Sequence, residues 1–202
     1  MIRLQNITKK YGEQTVLEHF SLTINGGEKI ALIGASGRGK TTLLRIVSGL
    51  EKADGGTIEC GGKMAFMFQE SRLLPWKNAR ENILAVLNKD NAALADKYLD
   101  AVGLADDKDK MPSSLSGGMA QRVALARLFA FAEATDADIL LLDEPFSALD
   151  GDTADKMIAL LDNFAKNKTL IIVTHDEKHA EKLGARTVEI ITTRQTGGLH
   201  KG

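Results

Sequence analysis

Apolar residues follow two patterns along this chain, and the alternation between them predicts the fold class. Short apolar runs bounded by glycine and polar residues are typical of buried strands. Spacings of three and four, typical of helices, occur in TTLLRIVSGL, where Gly49 is placed to end the helix, and in DTADKMIALLDNFAKN. The predicted strands are IRLQNIT, TVLEHFSLTI, EKIALIG, DILLLDEP and TLIIVTH. Because strands alternate with helices, we expect an α/β protein with a mainly parallel sheet.

The middle of the chain carries the helical pattern alone. It contains ARENILAVL, NAALADKYLDAVGL and GGMAQRVALARLFAFA, with the polar stretch ADDKDKMPSS between the last two. We interpret residues 78–134 as a helical lobe inserted into an α/β core formed by residues 1–77 and 135–202, all within one domain. The final segment, TVEIITTRQTGGLHKG, predicts one last strand.

The composition is typical of a globular protein and gives no indication of a nucleic-acid partner. The 202 residues are 44% hydrophobic and 26% charged, which is typical of a globular chain with a real core, and the net charge of −1 gives no basic excess for wrapping nucleic acid. We therefore expect no nucleic-acid partner. Cys60 is the single cysteine, so we expect a reducing compartment, the cytoplasm, and a buried thiol. No apolar stretch approaches the roughly 20 residues that span a bilayer.

A glycine-rich stretch, GASGRGKTT, directly follows the apolar run KIALI and precedes a helical pattern. Strand, glycine loop and helix together make backbone N–H groups converge, which creates a binding site for phosphate. Lys40 can then reach the outer phosphates and the Thr41 hydroxyl can hold Mg²⁺. A glycine-rich turn with a surface lysine is the plainer alternative, but the flanking strand and helix favour the phosphate loop. The expected nucleotide-binding residues of the loop are Gly34, Ala35, Ser36, Gly37, Arg38, Gly39, Lys40, Thr41 and Thr42.

Two acidic residues close the apolar strand in ILLLDEP. Asp143 is placed to hold Mg²⁺ beside the phosphate loop, and Glu144 is placed to polarise an attacking water as a general base. An acidic pair at the end of a strand is often only solvated. The phosphate loop upstream favours the catalytic interpretation here.

The stretch LSGGMAQR again sets a serine and two glycines at the start of a helix, which makes a second anion-binding helix terminus on one chain. A simple helix cap would explain it in isolation. In company with the two preceding motifs, it resembles the nucleotide-binding subunits of ATP-binding cassette (ABC) transporters. In that family, this stretch of one subunit closes over ATP held by the phosphate loop of the other.

The resemblance covers nearly the whole chain and assigns further residues. Tyr11 lies where the family has an aromatic residue that stacks on adenine, and Gln69 matches the glutamine that senses Mg²⁺ and water. Asp150 ends the SALD loop, which faces the opposite subunit, and His175 matches the histidine that contacts the γ-phosphate. One departure is Met119, which stands where the family most often carries glutamine. The chain between the phosphate loop and LSGG is also shorter than is usual in the family.

The resemblance implies a P-loop NTPase (RecA-like) core with a parallel sheet, an N-terminal antiparallel β part and an inserted helical lobe. It implies ATP and Mg²⁺ as cofactors and a homodimer that forms on ATP binding. Separate transmembrane permease subunits would be the partners, a solute-binding protein would contribute indirectly, and the subunit would lie on the cytoplasmic face of the inner membrane. By role, the residues are Glu144, His175 and Gln69 for catalysis, Thr41, Gln69 and Asp143 for the metal, and Ser116, Gly117, Gly118 and Asp150 across the dimer.

The segment FQESRLLPWKNARENI is most similar to importers of the nitrate, sulfonate, taurine and pyrimidine-precursor group. In the family, Leu73, Leu74 and Trp76 would form a groove for a helix of the membrane subunit, whereas the alternative is that they pack in the core of the lobe. Two other functions stay open at this point. A soluble cassette protein of DNA repair or translation would need a long coiled coil or a second cassette, and a P-loop kinase or GTPase would leave LSGG unexplained. His19, His179 and His200 match no motif.

Overall fold

The computed structural model describes residues 1–35, 37–87 and 91–190, which form two sheets and the helices packed on them. The strands are β1 (Ile2–Tyr11), β2 (Gln14–Ile24), β3 (Lys29–Ile33), β4 (Gly55–Cys60), β5 (Met64–Met67), β6 (Ile139–Asp143), β7 (Thr169–Val173) and β8 (Arg186–Glu189). The smaller sheet is antiparallel, with the order β2-β1-β4. The larger sheet is parallel throughout, with the order β5-β6-β7-β3-β8.

The helices connect the parallel strands and form the middle of the chain. They are α1 (Lys40–Val47), α2 (Ala79–Leu84), α3 (Ala92–Ala101), α4 (Gly117–Thr135), α5 (Gly151–Phe164) and α6 (Glu177–Lys182), with short 3-10 turns at Ala105–Asp107 and Pro112–Ser114. Side chains cap several of these helices. Asn78 and Glu81 form a reciprocal capping box at α2, and Ser116 and Asp150 accept backbone N–H bonds at the starts of α4 and α5. In the described residues, no helix has both the length and the apolar character to cross a bilayer.

Alternate residues of the parallel strands contribute to two hydrophobic cores, because successive side chains of a strand point to opposite faces of the sheet. On β6, Leu140 and Leu142 pack towards α3, α4 and α5, whereas Ile139 and Leu141 pack towards α1 and the antiparallel sheet. Burial of each such side chain contributes about 1.5–3 kcal/mol. The parallel sheet is therefore covered on both faces, and only the ends of its strands are free to bind a ligand.

The fold class predicted from the sequence is confirmed: parallel core, antiparallel N-terminal sheet and helical segments all occur. The predicted end of the first helix holds, since α1 stops at Val47 and Gly49 has a φ of 74°. The expectation for Cys60 was wrong, because the residue is half-buried on β4, which is largely exposed. Burial still raises the pKa of its thiol. The final strand begins as predicted with β8, but residues 191–202, which include His200, lie outside the described part of the chain.

Candidate functional site

Four neighbouring parallel strands end at one edge of the sheet, and each is followed by a predicted site residue. Gln69 follows β5, Asp143 and Glu144 close β6, His175 follows β7 and the glycine loop 34–39 follows β3. The carboxyl edge of a parallel sheet is the usual place for a ligand site. A cavity of about 280 Å³ lies there, lined by Tyr11, Val16, Gly37, Gly39, Lys40, Thr41, Thr42, Gln69, Glu144, Val173 and His175.

The glycine loop wraps around the side chain of Lys40, which is only 5% exposed. Its Nζ donates hydrogen bonds to the carbonyl oxygens of Gly34, at 2.6 Å, and Ala35, at 2.9 Å. Gly39 must be glycine, because its φ is 83° and a Cβ there would lie 2.8 Å from the Cγ1 of Val16. The loop is thus shaped around one ammonium group at the start of α1. Ser36, also predicted to bind nucleotide, lies outside the described residues.

Charges of both signs are buried together beside this loop. Burial lowers the pKa of the Lys40 ammonium, and the carboxylates of Glu144 and Asp143 oppose that shift. Burial raises the pKa of the Asp143 carboxyl, against the influence of the Thr41 hydroxyl and of nearby cations. Ionisable groups that are perturbed by burial and by specific neighbours inside one cleft are typical of functional sites.

The donor set beside Lys40 fits a hard divalent cation. Asp143 is 2% exposed, and its Oδ1 is buried without a hydrogen-bond partner among the described residues. A buried carboxylate oxygen with no partner is costly unless something binds it, and Mg²⁺ prefers such oxygen ligands. The hydroxyl of Thr41 lines the same cavity, as does Gln69, which is exposed. The residues present therefore fit the ion that the sequence predicts.

Glu144 has a backbone conformation that is uncommon for its residue type, with a φ of 51°. Its N–H donates to the carbonyl oxygen of Val173 at 3.1 Å, which ties the residue to β7. Its carboxylate contacts the Nε2 of His175. Burial raises the pKa of this carboxyl, while His175 opposes the shift. The structure thus brings two of the three predicted catalytic side chains, Glu144 and His175, into direct contact.

Tyr11 forms one wall of the cavity and is 45% exposed. Its hydroxyl donates to the carboxylate of Glu51, and the Nζ of Lys9 lies 5.3 Å from the centre of its ring. Val16 lines the cavity next to it, although nothing in the sequence distinguished this valine from the rest of β2. An aromatic ring and an aliphatic side chain at one end of a polar cleft suit a flat apolar group.

The SGG stretch does not belong to this cavity. Among the residues described, those lining it include none of Ser116, Gly117, Gly118 and Asp150. Ser116 caps α4 by accepting a hydrogen bond from the N–H of Met119 at 3.2 Å, and Asp150 caps α5 by accepting one from Thr153 at 2.9 Å. Ser116 and Gly117 are exposed. The predicted second anion-binding terminus therefore lies on the surface of the described chain and not in this cavity.

Sequence reasoning overlooked a buried glutamine on α4. Gln121 belongs to LSGGMAQR but was given no role, and its Nε2 donates to the carbonyl oxygen of Glu144 at 3.2 Å. A single amide on a helix has no periodic signal that could have revealed this contact.

A second concavity of about 340 Å³ has a mostly apolar lining. Arg127 lies in it, and its guanidinium donates to the carbonyl oxygens of Ser71 and Arg72, shortly after Gln69. We call it the apolar groove; it is lined by Ser48, Leu50, Met64, Phe66, Met67, Phe68, Val86, Ala124, Arg127, Leu128 and Phe131. Trp76, in the LLPW segment, is 69% exposed, whereas Leu73 packs against the larger core.

Comparison with known proteins agrees with these features. A family model described as ABC transporter matches residues 17–147. The aliphatic sulfonates import ATP-binding protein SsuB 2 of Pseudomonas syringae pv. syringae (strain B728a) is 41% identical over 201 residues, which cover 98% of this chain and 72% of that protein. The aliphatic sulfonates import ATP-binding protein SsuB of Yersinia pestis bv. Antiqua (strain Antiqua) is 41% identical over 199 residues, covering 94% of this chain and 72% of that one.

Solved structures give the same result. The ATP-binding cassette MJ0796, determined as a dimer in a post-hydrolysis state with ADP and Pi, superposes with a TM-score of 0.85 at 31% identity, covering 94% of each chain. A second dimeric structure of MJ0796, described as a bacterial ABC transporter cassette, gives a TM-score of 0.82 with the same identity and coverage.

Proposed function

The chain belongs to the ABC transporter family, and on that basis we propose that it is the ATP-hydrolysing motor subunit of an importer that acts as a head-to-tail dimer. As a cassette ATPase it binds nucleotide and hydrolyses ATP. The observation that carries the proposal is the meeting of Lys40, Glu144 and His175 in one cavity, with Asp143 buried beside it. Residues 1–202 would form one domain, with core and lobe divided as the sequence predicts.

Nucleotide binding would use the loop at residues 34–42. Phosphate oxygens would replace the carbonyl oxygens of Gly34 and Ala35 as partners of the Lys40 ammonium, and the backbone N–H groups of the loop would bind the remaining oxygens. Tyr11 would stack on the adenine at the other end of the cavity. Thr41, Asp143 and Gln69 would hold Mg²⁺, which when bound offsets negative charge on the phosphates.

Hydrolysis would depend on Glu144. Its carboxylate is placed to take a proton from the attacking water, and the contact with His175 holds it at the cavity. His175 would in turn donate to the γ-phosphate. Because burial already raises the pKa of Glu144, this carboxylate is a stronger base than an exposed glutamate.

The dimer would complete the site. Ser116 and Gly117 are exposed at the start of α4, where N–H groups and the helix dipole favour an anion. They would dock, with Gly118, on the γ-phosphate held by the partner subunit, while Asp150 would face the partner across the interface. The dimeric MJ0796 structures support this arrangement.

The membrane partner would be a pair of permease subunits in separate chains. The apolar groove and the exposed ring of Trp76 supply the unpartnered apolar surface that a helix from such a subunit would cover. This would hold the chain at the cytoplasmic face of the inner membrane. The relatives named for aliphatic sulfonate import favour that class of solute, delivered to the permease by a binding protein.

Reconstitution tests the proposed function. The chain is co-expressed with a permease pair from the sulfonate importer group, purified as a complex and placed in proteoliposomes with the binding protein. We expect ATP-dependent accumulation of an aliphatic sulfonate, and none with Glu144→Gln in place of the wild-type chain. A chain that hydrolyses ATP but does not assemble with any permease of this group would contradict the transport function while leaving the ATPase assignment intact.

A further inference from the structure

Helix α4 carries two features that face different ligands. Its first turn presents Ser116 and Gly117 to the outside, and one turn later the buried amide of Gln121 is directed inward. Gln121 is 4% exposed, and its Nε2 donates to the carbonyl oxygen of Glu144 at 3.2 Å. The exposed Ser147 donates to the same oxygen twice, from its hydroxyl at 3.1 Å and from its backbone N–H at 3.3 Å, but these are local bonds within the turn that follows Glu144. Among the described residues, Gln121 is therefore the buried partner that ties this carbonyl to another element, α4.

The peptide that Gln121 holds is the one that most needs support. Glu144 has a φ of 51°, in the left-handed region that residues with a Cβ rarely adopt. Such a conformation persists only where the surroundings hold it in place, and its orientation determines where the carboxylate points. The N–H of Glu144 is held by Val173 of β7, and its carbonyl oxygen is held by Gln121 of α4. Loss of either bond removes one of the contacts that fix this peptide, and with it part of the support for the direction of the carboxylate.

A second contact joins the first turn of α4 to the loop that follows Glu144. A Cβ built on Gly118 would lie 3.0 Å from the carbonyl oxygen of Ala148 and 3.5 Å from the Cδ2 of Leu149. The helix and this loop are thus in close backbone contact, so neither can shift by much without the other. The first turns of α4 are thus connected to Glu144 by two sets of contacts, through Gln121 and through the loop at Ala148.

We propose that Gln121 is a positioning residue that links the SGG terminus of α4 to the catalytic carboxylate of the same chain. The proposal rests on the head-to-tail dimer proposed above. In that dimer, α4 docks on the nucleotide of the partner while Glu144 serves the nucleotide of its own chain. The bond from Gln121 therefore connects the two nucleotide sites: docking at one site sets the orientation of the carboxylate at the other.

The decisive variant is Gln121→Met, which keeps the length and volume of the side chain and removes only the donor. A small misplacement of a reacting group can cost about a hundredfold in rate, so we expect kcat to fall by about tenfold to a hundredfold. Affinity for ATP, measured by calorimetry, should stay at the wild-type value, because Gln121 does not line the nucleotide cavity. In a Glu144→Gln background, the same substitution should leave the ATP-bound dimer intact by light scattering.

Thr169→Val is the matched control. It removes another buried side-chain bond to a backbone group, the 3.0 Å bond from the N–H of Gly27 to the Thr169 hydroxyl, at the opposite end of β7 from the site. We expect a similar fall in melting temperature for both variants, and a fall in kcat only for Gln121→Met. If Gln121→Met does not fold, Gln121→Asn, whose amide is one methylene too short to reach Glu144, takes its place.

Three outcomes would overturn the proposal: a kcat that matches the Thr169→Val control, a loss of ATP affinity, or a loss of the dimer in the Glu144→Gln background. Failure of the dimer mechanism itself is detected by a separate measurement: the Glu144→Gln variant with no other substitution would then remain monomeric with ATP. In that case a fall in kcat specific to Gln121→Met still identifies the support of Glu144 but excludes the link between two sites.

Discussion

The Nζ of Lys40 donates a hydrogen bond to the carbonyl oxygen of Gly34 at 2.6 Å, across the full width of the glycine loop. The described part of the loop is therefore folded around the ammonium group. A phosphate bound at the proposed site would replace these carbonyl oxygens as the partner of the ammonium group.

Replacement of Lys40 by methionine should weaken nucleotide binding without unfolding the chain. Charge-assisted hydrogen bonds contribute about 1.5–3 kcal/mol each, so we expect ATP affinity to fall by at least about tenfold to a hundredfold. Methionine keeps most of the buried volume. Calorimetric titration with ATP measures the loss, and Lys166→Met, at an exposed position in the connection between α5 and β7, should bind as the wild type does.

Two variants separate dimer closure from hydrolysis. Glu144→Gln should bind ATP, hydrolyse it about 10²- to 10⁴-fold more slowly and accumulate as a dimer, because a general base contributes rate without being needed for binding. Gly117→Asp should bind ATP and stay monomeric, since its carboxylate would meet the partner's γ-phosphate. A Cβ at Gly117 has room, with the Cβ of Ala148 4.0 Å away, so Gly117→Ala is a fair control. Light scattering with ATP and Mg²⁺ reads all three, and dimerisation of the aspartate variant would contradict the shared site.

Tyr11 should contribute through its ring rather than its hydroxyl. Stacking of a base on an aromatic side chain contributes about 1–3 kcal/mol, so Tyr11→Ala should weaken ATP binding by roughly five- to a hundredfold. Tyr11→Phe loses the contact with Glu51 but keeps the ring, and it should lie close to wild type. Binding of inorganic tripolyphosphate, which has no base, should be equal in all three proteins; a parallel loss there would mean that Tyr11 supports the phosphate loop instead.

Trp76 should matter for assembly and not for folding. Its ring is 69% exposed, and surface substitutions away from special features usually change the free energy of unfolding by about 0.5 kcal/mol or less. Trp76→Ala should therefore keep its melting temperature and its basal ATP hydrolysis while losing co-purification with the permease. Met111→Ala, at another exposed apolar residue, controls for general loss of apolar surface. Equal losses of assembly, activity and melting temperature would indicate a structural role.

The raised pKa of Glu144 predicts the pH dependence of both rate and stability. The base must be deprotonated, so hydrolysis should decline with falling pH sooner than it would for an unperturbed glutamate. A carboxyl with a raised pKa in the folded state destabilises the fold as pH rises from about 4 through that pKa, and it has no such effect below. Glu144→Gln should therefore melt at a higher temperature than wild type at neutral pH. In scanning calorimetry this gain in melting temperature should vanish near pH 4. A gain of the same size at about pH 4 and at neutral pH would contradict the idea that burial of the Glu144 carboxyl destabilises the fold.

The local motifs of the site could be predicted because each depends on a short run of residues. GASGRGKTT directly follows a strand and ILLLDEP ends one, so the sequence alone placed Lys40 in a phosphate loop at the start of a helix, and Asp143 and Glu144 at the end of a strand. Strands β4 and β5 escaped individual prediction for physical reasons: β4 is largely exposed and carries no apolar run, and β5 has four residues. Helix α6, with a single buried residue, offered no apolar stripe either.

Contacts between distant segments could not be predicted in this way. The bond from Gln121 to Glu144 spans 23 residues, and the bond from Tyr11 to Glu51 spans 40. Gln121 and Glu51 are not distinguished by any pattern along the chain, because each meets its partner only when distant segments pack together. The roles of the site residues thus follow from motifs, whereas their support follows only from the fold.

Because every strand of the parallel sheet runs in the same direction, the candidate site lies at its carboxyl edge. The described connections at its amino edge contribute no residue to that site. The connection from α5 to β7 is one of these, and Lys166 and Asn167 at its tip are exposed. A reporter domain inserted between these two residues would be carried on the face opposite the nucleotide. A fluorescent reporter at that turn would allow conformational changes during turnover to be followed without a label near the site.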